Sequence, residues 1–376
     1  MTVNIDTSEH YKGREQSGIK HYLLESYLEV LFMIIGQHEK RICYIDCFSG
    51  PWQEADQKLS DTSIALSLNA MRKCHNTLKT LGYNVEFRAL FVEKDNRSYK
   101  KLKAYLEDTQ YEGVTADSRN GDFYDQRDDI LRWCGTDNFA FFFIDPKGWK
   151  KAIEIPTLAP LLRRPRSEFM INFMYDFLNR TVPQESFQDD MRAIFGEIPD
   201  TSGMGPKERE NYLINRYRAA LISTSSHDTK RLRSAYVSIL DRVKDRTKYH
   251  IVYLTRHPLG IVKFMEASEK MDKVQQRVRT RTKQQRRAES SGMNDLFSNE
   301  VDDATTDTVD IEAVKQYWLN MLSHTPQVFD IERLADMLED INWFETNLQQ
   351  AFNELIDEGK AINLDMTRKR PKNGAF

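Results

Sequence analysis

Short apolar runs alternate with longer amphipathic stretches through the first half of the chain. The short runs predict buried strands, and the stretches between them, which repeat apolar residues at helical spacing, predict helices. The strands are expected over 41–46, 85–92, a segment leading to 120, and 139–144. The helices between them are expected over 62–80, 95–107 and 124–133. Strands that alternate with helices in this way form a doubly wound, mostly parallel α/β sheet.

Each of these strands leads to a carboxylate. Asp46, Glu93, Asp122 and Asp145 stand at or just beyond four successive strand ends. The carboxyl ends of parallel strands meet at one edge of a sheet, which is where α/β proteins bind their ligands. A single acid there is often only a solvated residue, but four in order favour a binding site. The small-residue turn Cys47-Phe-Ser-Gly50 brings backbone amides to the same edge.

The remainder of residues 1–288 is interpreted as part of the same domain. Its further elements are expected as a helix over 17–38, a helix over 156–162, strands over 168–174 and 249–254, and a helix from 258 to about 287. The charged region of about 183–247 has helical periodicity and is interpreted as a helical insertion or a cover over the ligand edge.

The composition changes after residue 288. Residues 289–309 are rich in Ser, Asn, Asp and Thr and are interpreted as a linker. The last segment, 310–376, predicts three helices and a short strand, over 311–322, 331–337, 343–358 and 361–364. This order is typical of a winged-helix module, which reads DNA or binds proteins. Its third helix is acidic, which favours protein interaction, although the basic tail 368–372 can also contact phosphates.

A run of basic residues without an acid marks the end of the long helix. Its members are Lys273, Arg277, Arg279, Arg281, Lys283, Arg286 and Arg287. Such a run can contact nucleic-acid phosphates, but it can equally be a solvated helix face. Since the net charge of the chain is −3, nucleic-acid binding would have to depend on a local patch of this kind.

Composition narrows the class of protein further. The chain has 376 residues, of which 40% are hydrophobic and 30% charged, and this predicts a folded, soluble protein. No apolar run is long enough to cross a bilayer, and the polar N-terminus does not resemble a signal peptide. The four cysteines form neither a metal motif nor a disulfide framework. We therefore expect no bound metal and a reducing, cytoplasmic location.

The strand-end motifs carry a family resemblance. They resemble the successive motifs of class I S-adenosylmethionine-dependent methyltransferases. More narrowly, the chain resembles the three-Cys-motif partner protein (TcmP) family over about residues 17–270. The segments that carry this resemblance are Lys20-His-Tyr-Leu-Leu-Glu-Ser-Tyr-Leu28, Tyr44-Ile-Asp-Cys-Phe-Ser-Gly-Pro51, Phe143-Ile-Asp-Pro-Lys-Gly148, Ile171-Asn-Phe173 and Tyr253-Leu-Thr-Arg-His-Pro-Leu-Gly260.

The resemblance implies a fold, a cofactor and a partner. The fold would be methyltransferase-like with a C-terminal winged helix, and the cofactor would be S-adenosylmethionine. Asp46, Phe48 and Gly50 would line its methionine part, Glu93 would bind the ribose hydroxyls, and Asp122 would bind the adenine amino group. The partner would be a protein with a three-cysteine motif, itself similar to radical S-adenosylmethionine proteins.

The sequence Asp145-Pro146 also resembles the motif of enzymes that methylate exocyclic amino groups of bases. By that resemblance, Asp145 and the Pro146 carbonyl accept hydrogen bonds from the amino group. The stacking aromatic of the motif is missing, because Lys147 and Gly148 follow, but Trp149 stands one position later and can replace it.

Two interpretations stay open. One is an enzyme that methylates an amino group of a nucleic-acid base. The other is a catalytically silent, methyltransferase-like scaffold that recruits the partner protein to nucleic acid, favoured by Lys147 and by the bulky Trp52 after the Gly-Pro turn. An NAD-dependent oxidoreductase is disfavoured because the Gly-rich turn that it requires is absent.

Overall fold

The computed structural model describes residues 15–50, 62–148, 151–225, 230–291 and 309–365, with the side chains of the helix that ends at 291 described to residue 284. Trp149, Trp52, most of the expected linker and the basic tail 368–372 lie outside the described residues.

The chain is built on one seven-stranded sheet, with strand order β3-β2-β1-β4-β5-β7-β6. Its strands are β1 (Arg41–Asp46), β2 (Glu86–Glu93), β3 (Val114–Asn120), β4 (Phe139–Ile144), β5 (Ser167–Phe173), β6 (Arg233–Leu240) and β7 (Thr247–Thr255). The first five strands pair in parallel, whereas β7 runs antiparallel to both of its neighbours. The predicted α/β fold with a mostly parallel sheet is therefore confirmed.

The helices up to residue 291 are α1 (Glu15–Ile35), α2 (Ser63–Thr80), α3 (Asn96–Asp108), α4 (Phe123–Cys134), α5 (Ile155–Leu162), α6 (Tyr175–Thr181), α7 (Gln188–Phe195), α8 (Pro206–Ser223) and α9 (Pro258–Ser291). Two of them begin at capping residues that the sequence makes visible. The Thr62 hydroxyl accepts the Ala65 N–H, and the Asp95 carboxylate accepts the Ser98 N–H.

The sheet is covered on both faces. One apolar cluster joins it to α1, α2, α3 and α9, and a second joins its other face to α4, α5, α6, α7 and α8. Burial on both sides explains why the central strands are continuously apolar, since every residue of β4 and β5 is buried.

The region 183–247 differs from its prediction. It contains α7, α8 and a 3-10 turn over Glu185–Phe187, but it also contains the strand β6. Its sequence, Arg-Ser-Ala-Tyr-Val-Ser-Ile-Leu, is interrupted by two serines and lacks the unbroken apolar run of a central strand. As the terminal strand of the sheet, β6 pairs only with β7, so it does not need that run.

Three helices follow in the C-terminal segment: α10 (Ile311–Met321), α11 (Ile331–Asp340) and α12 (Glu345–Asp357). The expected strand over 361–364 is not formed, so the structure through residue 365 shows three helices without a wing. Ile362 and Leu364 of this segment are instead exposed and make no strand pairing there. The winged-helix module thus stays a prediction.

The C-terminal helices pack against α9 and β6. Arg233, the first residue of β6, forms ion pairs with Glu332, Asp336 and Glu339 of α11, at 2.7 Å for Asp336. Val314 and Leu348 belong to the same apolar cluster as the sheet face that α1 covers. Burial and ion pairing thus join these helices to the sheet.

Within the described part of the chain, no helix combines the length and apolar character that a membrane span requires.

Candidate active site

Strand register places the acidic residues on one face of the sheet. Asp46 pairs with Phe91 of β2 and with Phe143 of β4. Side chains alternate along a strand, so Glu93 and Asp145, each two residues farther on, extend from the same face one pleat beyond Asp46. Asn172 of β5 has the same position, because Met170 pairs with Phe143. This is the face that α1 and α2 cover.

Asp46 is turned into the protein. One carboxylate oxygen accepts the Phe48 N–H at 3.1 Å, and the other accepts the Ser63 hydroxyl at 2.7 Å. The residue is fully buried, and burial raises the pKa of this carboxyl to about 6. Charge repulsion from the nearby Asp145 contributes to this raised pKa. Asp46 thus fixes the turn after β1 and does not offer an open carboxylate to a ligand.

The turn after β1 is tied to the neighbouring strand. The Ser49 N–H donates to the Val92 carbonyl at 2.8 Å, which draws the turn across the end of β2. Gly50 consequently lies against Glu93, and a Cβ built on Gly50 would come 2.3 Å from Glu93 Oε2. Phe48 lies on the other side of this turn, with its ring centroid 5.5 Å from that of Phe123. The absence of a Cβ at Gly50 lets the Glu93 carboxylate lie this close to the turn.

Glu93 is buried at the end of β2. Its Oε1 accepts the Asp95 N–H at 2.7 Å, while its Oε2 faces Gly50. Burial raises the pKa of this carboxyl above its ordinary value, and the nearby Lys147 acts in the opposite direction. The carboxylate therefore keeps one oxygen on the side of the turn where the resemblance expects a ribose.

Asp122 follows β3 and lies beside the end of β2. The Gly121 N–H and the Asn120 side-chain amide both donate to the Glu93 carbonyl, at 3.1 and 2.9 Å. The Asp122 carboxylate forms an ion pair with Lys94 at 3.0 Å and accepts the Tyr124 hydroxyl at 2.8 Å. Three of the predicted cofactor-binding residues, Gly50, Glu93 and Asp122, are thus brought to one end of the edge.

Asp145 has two partners that the sequence analysis did not assign. The Lys20 ammonium of α1 donates to its Oδ2 at 2.5 Å, and the Asn172 amide donates to its Oδ1 at 2.6 Å. Lys20 also lies over the ring of Tyr249, 5.2 Å from its centroid. Burial, and then the charge of Asp145, raise the pKa of the Tyr249 hydroxyl well above its ordinary value.

The sequence contains weak indications that Lys20 and Asn172 have polar partners. Asn172 interrupts the apolar end of β5, and its own Oδ1 is buried without a partner among the described residues. Lys20 lies between the buried Ile19 and Leu23 of α1, where a cation needs an anionic partner. Of the other predicted acceptor residues, Pro146 is buried beside Asp145, and Trp149 lies outside the described residues.

The basic run of α9 has two faces. Arg279 and Lys283 both form ion pairs with Asp245 in the β6–β7 hairpin, at 2.5 and 2.8 Å, and Arg279 is buried there. Arg277 and Arg281 are exposed. The Arg279 guanidinium therefore does not reach solvent.

The other basic residues of the run are Lys273, Arg286 and Arg287. Lys273 is also exposed and forms an ion pair with Glu269 at 2.8 Å. The side chains of Arg286 and Arg287 lie outside the described residues.

Across the described ranges, no cluster of His, Cys, Asp and Glu side chains is arranged to hold a metal ion. The two features that distinguish the edge are therefore carboxylates and a close-packed glycine turn.

No family model matches the chain, and no curated protein matches it in sequence. The resemblance to the three-Cys-motif partner family accordingly remains a prediction.

Solved structures of similar fold include protein LPL1258 from Legionella pneumophila, of the DUF519 family, at 10% identity and a TM-score of 0.38, covering 68% of this chain and 91% of that one. Another is the O-methyltransferase TomG from Streptomyces achromogenes in complex with SAM, at 13% identity and a TM-score of 0.33, covering 62% of this chain and 78% of that one. A third is loganic acid methyltransferase with SAH, at 12% identity and a TM-score of 0.26, covering 70% of this chain and 65% of that one. Identities and TM-scores this low say nothing about activity. A function has to be inferred from the residues of the candidate site in this chain.

Proposed function

We propose that the protein is an S-adenosylmethionine-dependent methyltransferase that acts on an amino group of a nucleic-acid base. The observation that carries this proposal is the position of Asp145, whose carboxylate already holds two N–H donors at the edge where Gly50 and Glu93 meet. An exocyclic amino group offers the same kind of donor.

The residues of this edge fit the cofactor at one end. Gly50 lets the Glu93 carboxylate lie against the turn, and Oε2 of Glu93 is the atom that would accept a ribose hydroxyl there. Asp122 can accept an adenine amino group once Lys94 releases it, and Lys94 is 71% exposed and free to swing into solvent. Asp46 supports the cofactor through the turn that it fixes.

S-adenosylmethionine, when bound, supplies a methyl group on a sulfonium, and the electron pair of the broken C–S bond stays on that sulfur. The protein's contribution is alignment. Asp145 accepts an N–H from the acceptor and so directs the nitrogen lone pair away from itself. Asn172 holds the carboxylate in place through Oδ1, which leaves Oδ2 for the acceptor in exchange for the Lys20 ammonium.

The acceptor nitrogen becomes positively charged when it gains the methyl group, and it must then lose a proton. Asp145 is the nearest carboxylate that can stabilise this charge and take the proton. The departing product leaves Asp145 free to pair again with Lys20.

A second candidate function is a catalytically silent scaffold. Its support is that the acids are already neutralised within the chain, Asp145 by Lys20 and Asp122 by Lys94. For either function we also propose, from the sequence, that a three-Cys-motif protein is the partner and that the exposed Arg277 and Arg281 of α9 contact nucleic acid. Co-purification with a tagged three-Cys-motif protein tests the proposed partner.

Calorimetric titration with S-adenosylhomocysteine tests the cofactor site. Glu93→Ala should weaken binding by about 1–3 kcal/mol, because it removes the acceptor for buried hydroxyl donors. Glu86→Ala, at the exposed opposite end of the same strand, is the matched control and should leave affinity unchanged. Equal affinities in both variants would remove Glu93 from the site.

A further inference from the structure

Beyond Asn172, at the β5–β7 end of the ligand edge, three cationic side chains meet one carboxylate. Asp176, in the first turn of α6, forms ion pairs with Arg246 at 2.8 Å, Lys248 at 3.2 Å and Arg180 at 3.6 Å. The Asp176 side chain is 11% exposed, whereas Arg180 is 65% and Arg246 44% exposed. The Asp176 carboxylate is therefore buried within the cluster, and the cationic side chains are exposed to solvent.

The cluster has more positive than negative charge. Asp176 offsets one cation, and Asp241 lies 3.8 Å from Arg246 and offsets part of a second. Lys244 is exposed in the same hairpin and adds a further positive charge. Cations held together in this way repel one another unless anions lie between them, and Asp176 with the more distant Asp241 does not balance three cations.

The cluster lies at the same edge of the sheet as the acceptor position, on the other face. Side chains alternate along β7, so Lys248 extends from the face that α6 covers, whereas Tyr249, over whose ring Lys20 reaches Asp145, extends from the face that α1 covers. Asp176 is four residues beyond Asn172, whose amide donates to Asp145. Because β5 and β7 are neighbouring strands about 4.8 Å apart, the cluster and Asp145 are at adjoining positions along this edge.

We propose that Arg180, Arg246 and Lys248 bind a backbone phosphate of the acceptor, and that the acceptor is a single strand of nucleic acid. This inference rests on the proposed function. Two guanidinium forks and an ammonium suit phosphate oxygens, and Asp176 holds them ready until the phosphate arrives. A base whose amino group must reach Asp145 has to leave its stack, which a single strand allows at low cost.

Fluorescence anisotropy with labelled single-stranded 12-nucleotide RNA and DNA of mixed sequence tests the site. Arg180→Gln should lower the slope of log affinity against log salt by about 0.7, which is about a fivefold loss at 0.1 M salt. Asp176→Asn should act in the opposite direction and tighten binding, because it removes the competing anion. The RNA and DNA arms show which backbone is preferred.

Arg41→Gln is the matched control, since Arg41 is an exposed, ion-paired arginine at the opposite edge of the sheet. The proposal is overturned if the parent protein binds neither strand, if Arg41→Gln lowers the slope as much as Arg180→Gln, or if folded Asp176→Asn binds less tightly. If Asp176→Asn does not fold, the comparison of Arg180→Gln with Arg41→Gln still tests whether the cluster binds a phosphate. Binding of S-adenosylhomocysteine, measured alongside, separates failure of this site from failure of the cofactor site.

Discussion

The Lys20 ammonium lies 2.5 Å from Asp145 Oδ2, and this contact joins the first helix to the end of the fourth strand. Both side chains are largely buried, at 11% and 17% exposure. The ion pair thus holds the proposed acceptor carboxylate in a defined position before any ligand is present.

Removal of Lys20 should therefore destabilise the fold. We expect Lys20→Met to lower the free energy of unfolding by about 1–3 kcal/mol, because a buried carboxylate loses a charged partner. Lys73→Met is the control, since Lys73 forms a similar pair with Glu29 of α1 but is 56% exposed, and it should cost less than about 1 kcal/mol. Urea denaturation measures both, and equal losses would mean that the Lys20 pair has no special role.

Gly50 should be essential for cofactor affinity and less so for stability. In Gly50→Ala the new Cβ would collide with Glu93 Oε2, so the carboxylate must move from its position. We expect at least a tenfold loss of S-adenosylhomocysteine affinity by calorimetry. Gly148→Ala is the control on the same edge, because a Cβ there meets nothing within 4 Å of described structure. A Gly50→Ala variant with parental affinity would show that the turn does not face the cofactor.

Asp46 should make stability depend on pH. The pKa of its carboxyl is about 6 in the folded protein and 3.8 without the fold, so the folded state holds this proton more tightly. The contribution of Asp46 to the free energy of unfolding is therefore greatest below pH 4 and is lost as the pH rises to 6 and above. This contribution is about 3 kcal/mol at most.

Asp46→Asn removes this titration while it keeps an oxygen for the Phe48 N–H. We expect the variant to gain stability over the parent at pH 8 and to lose that advantage near pH 4, as measured by denaturation across the pH range. A difference between the two proteins that stays constant with pH would contradict the assignment.

Arg233 should attach the C-terminal helices to the sheet. Its side chain and that of Glu339 are 9% and 4% exposed, and removal of one member of a buried ion pair costs about 3–5 kcal/mol. Arg233→Met should therefore lower the free energy of unfolding by that amount and expose α11 to protease. Arg231→Met, which removes a 61% exposed side chain that pairs with two of the same acids, Asp336 and Glu339, should have a small effect. Similar protease sensitivity in the two variants would argue against attachment through Arg233.

The sequence predicted six of the seven strands of the sheet, but it did not predict the contacts within the site. The central strands were predictable because burial on both faces demands continuous apolar runs, as in Phe139–Ile144. The Lys20–Asp145 pair was not, since the two residues are 125 positions apart and meet only through the packing of α1. A strand-end acid such as Asp46 gives no sign in sequence of whether its oxygens are already bonded inside the protein.

The basic run of α9 also could not be interpreted fully from the sequence. Its spacing places Arg279 and Lys283 on one face and Arg277 and Arg281 on another. Which face packs depends on the β6–β7 hairpin, where Asp245 takes two of the cations. Strand β6, which positions that hairpin, was itself not predicted.

Methyl transfer by an Asp145 variant tests the central claim most directly. Single-turnover transfer from tritium-labelled S-adenosylmethionine to single-stranded oligonucleotides would be measured for the parent, Asp145→Ala and the control Asp137→Ala, which alters an exposed acid just before the same strand. The account predicts transfer by the parent and by Asp137→Ala, and a loss of at least about 100-fold in Asp145→Ala with cofactor affinity within a few-fold. Full transfer by Asp145→Ala, or none by the parent to any oligonucleotide, would contradict it and leave the scaffold as the better account.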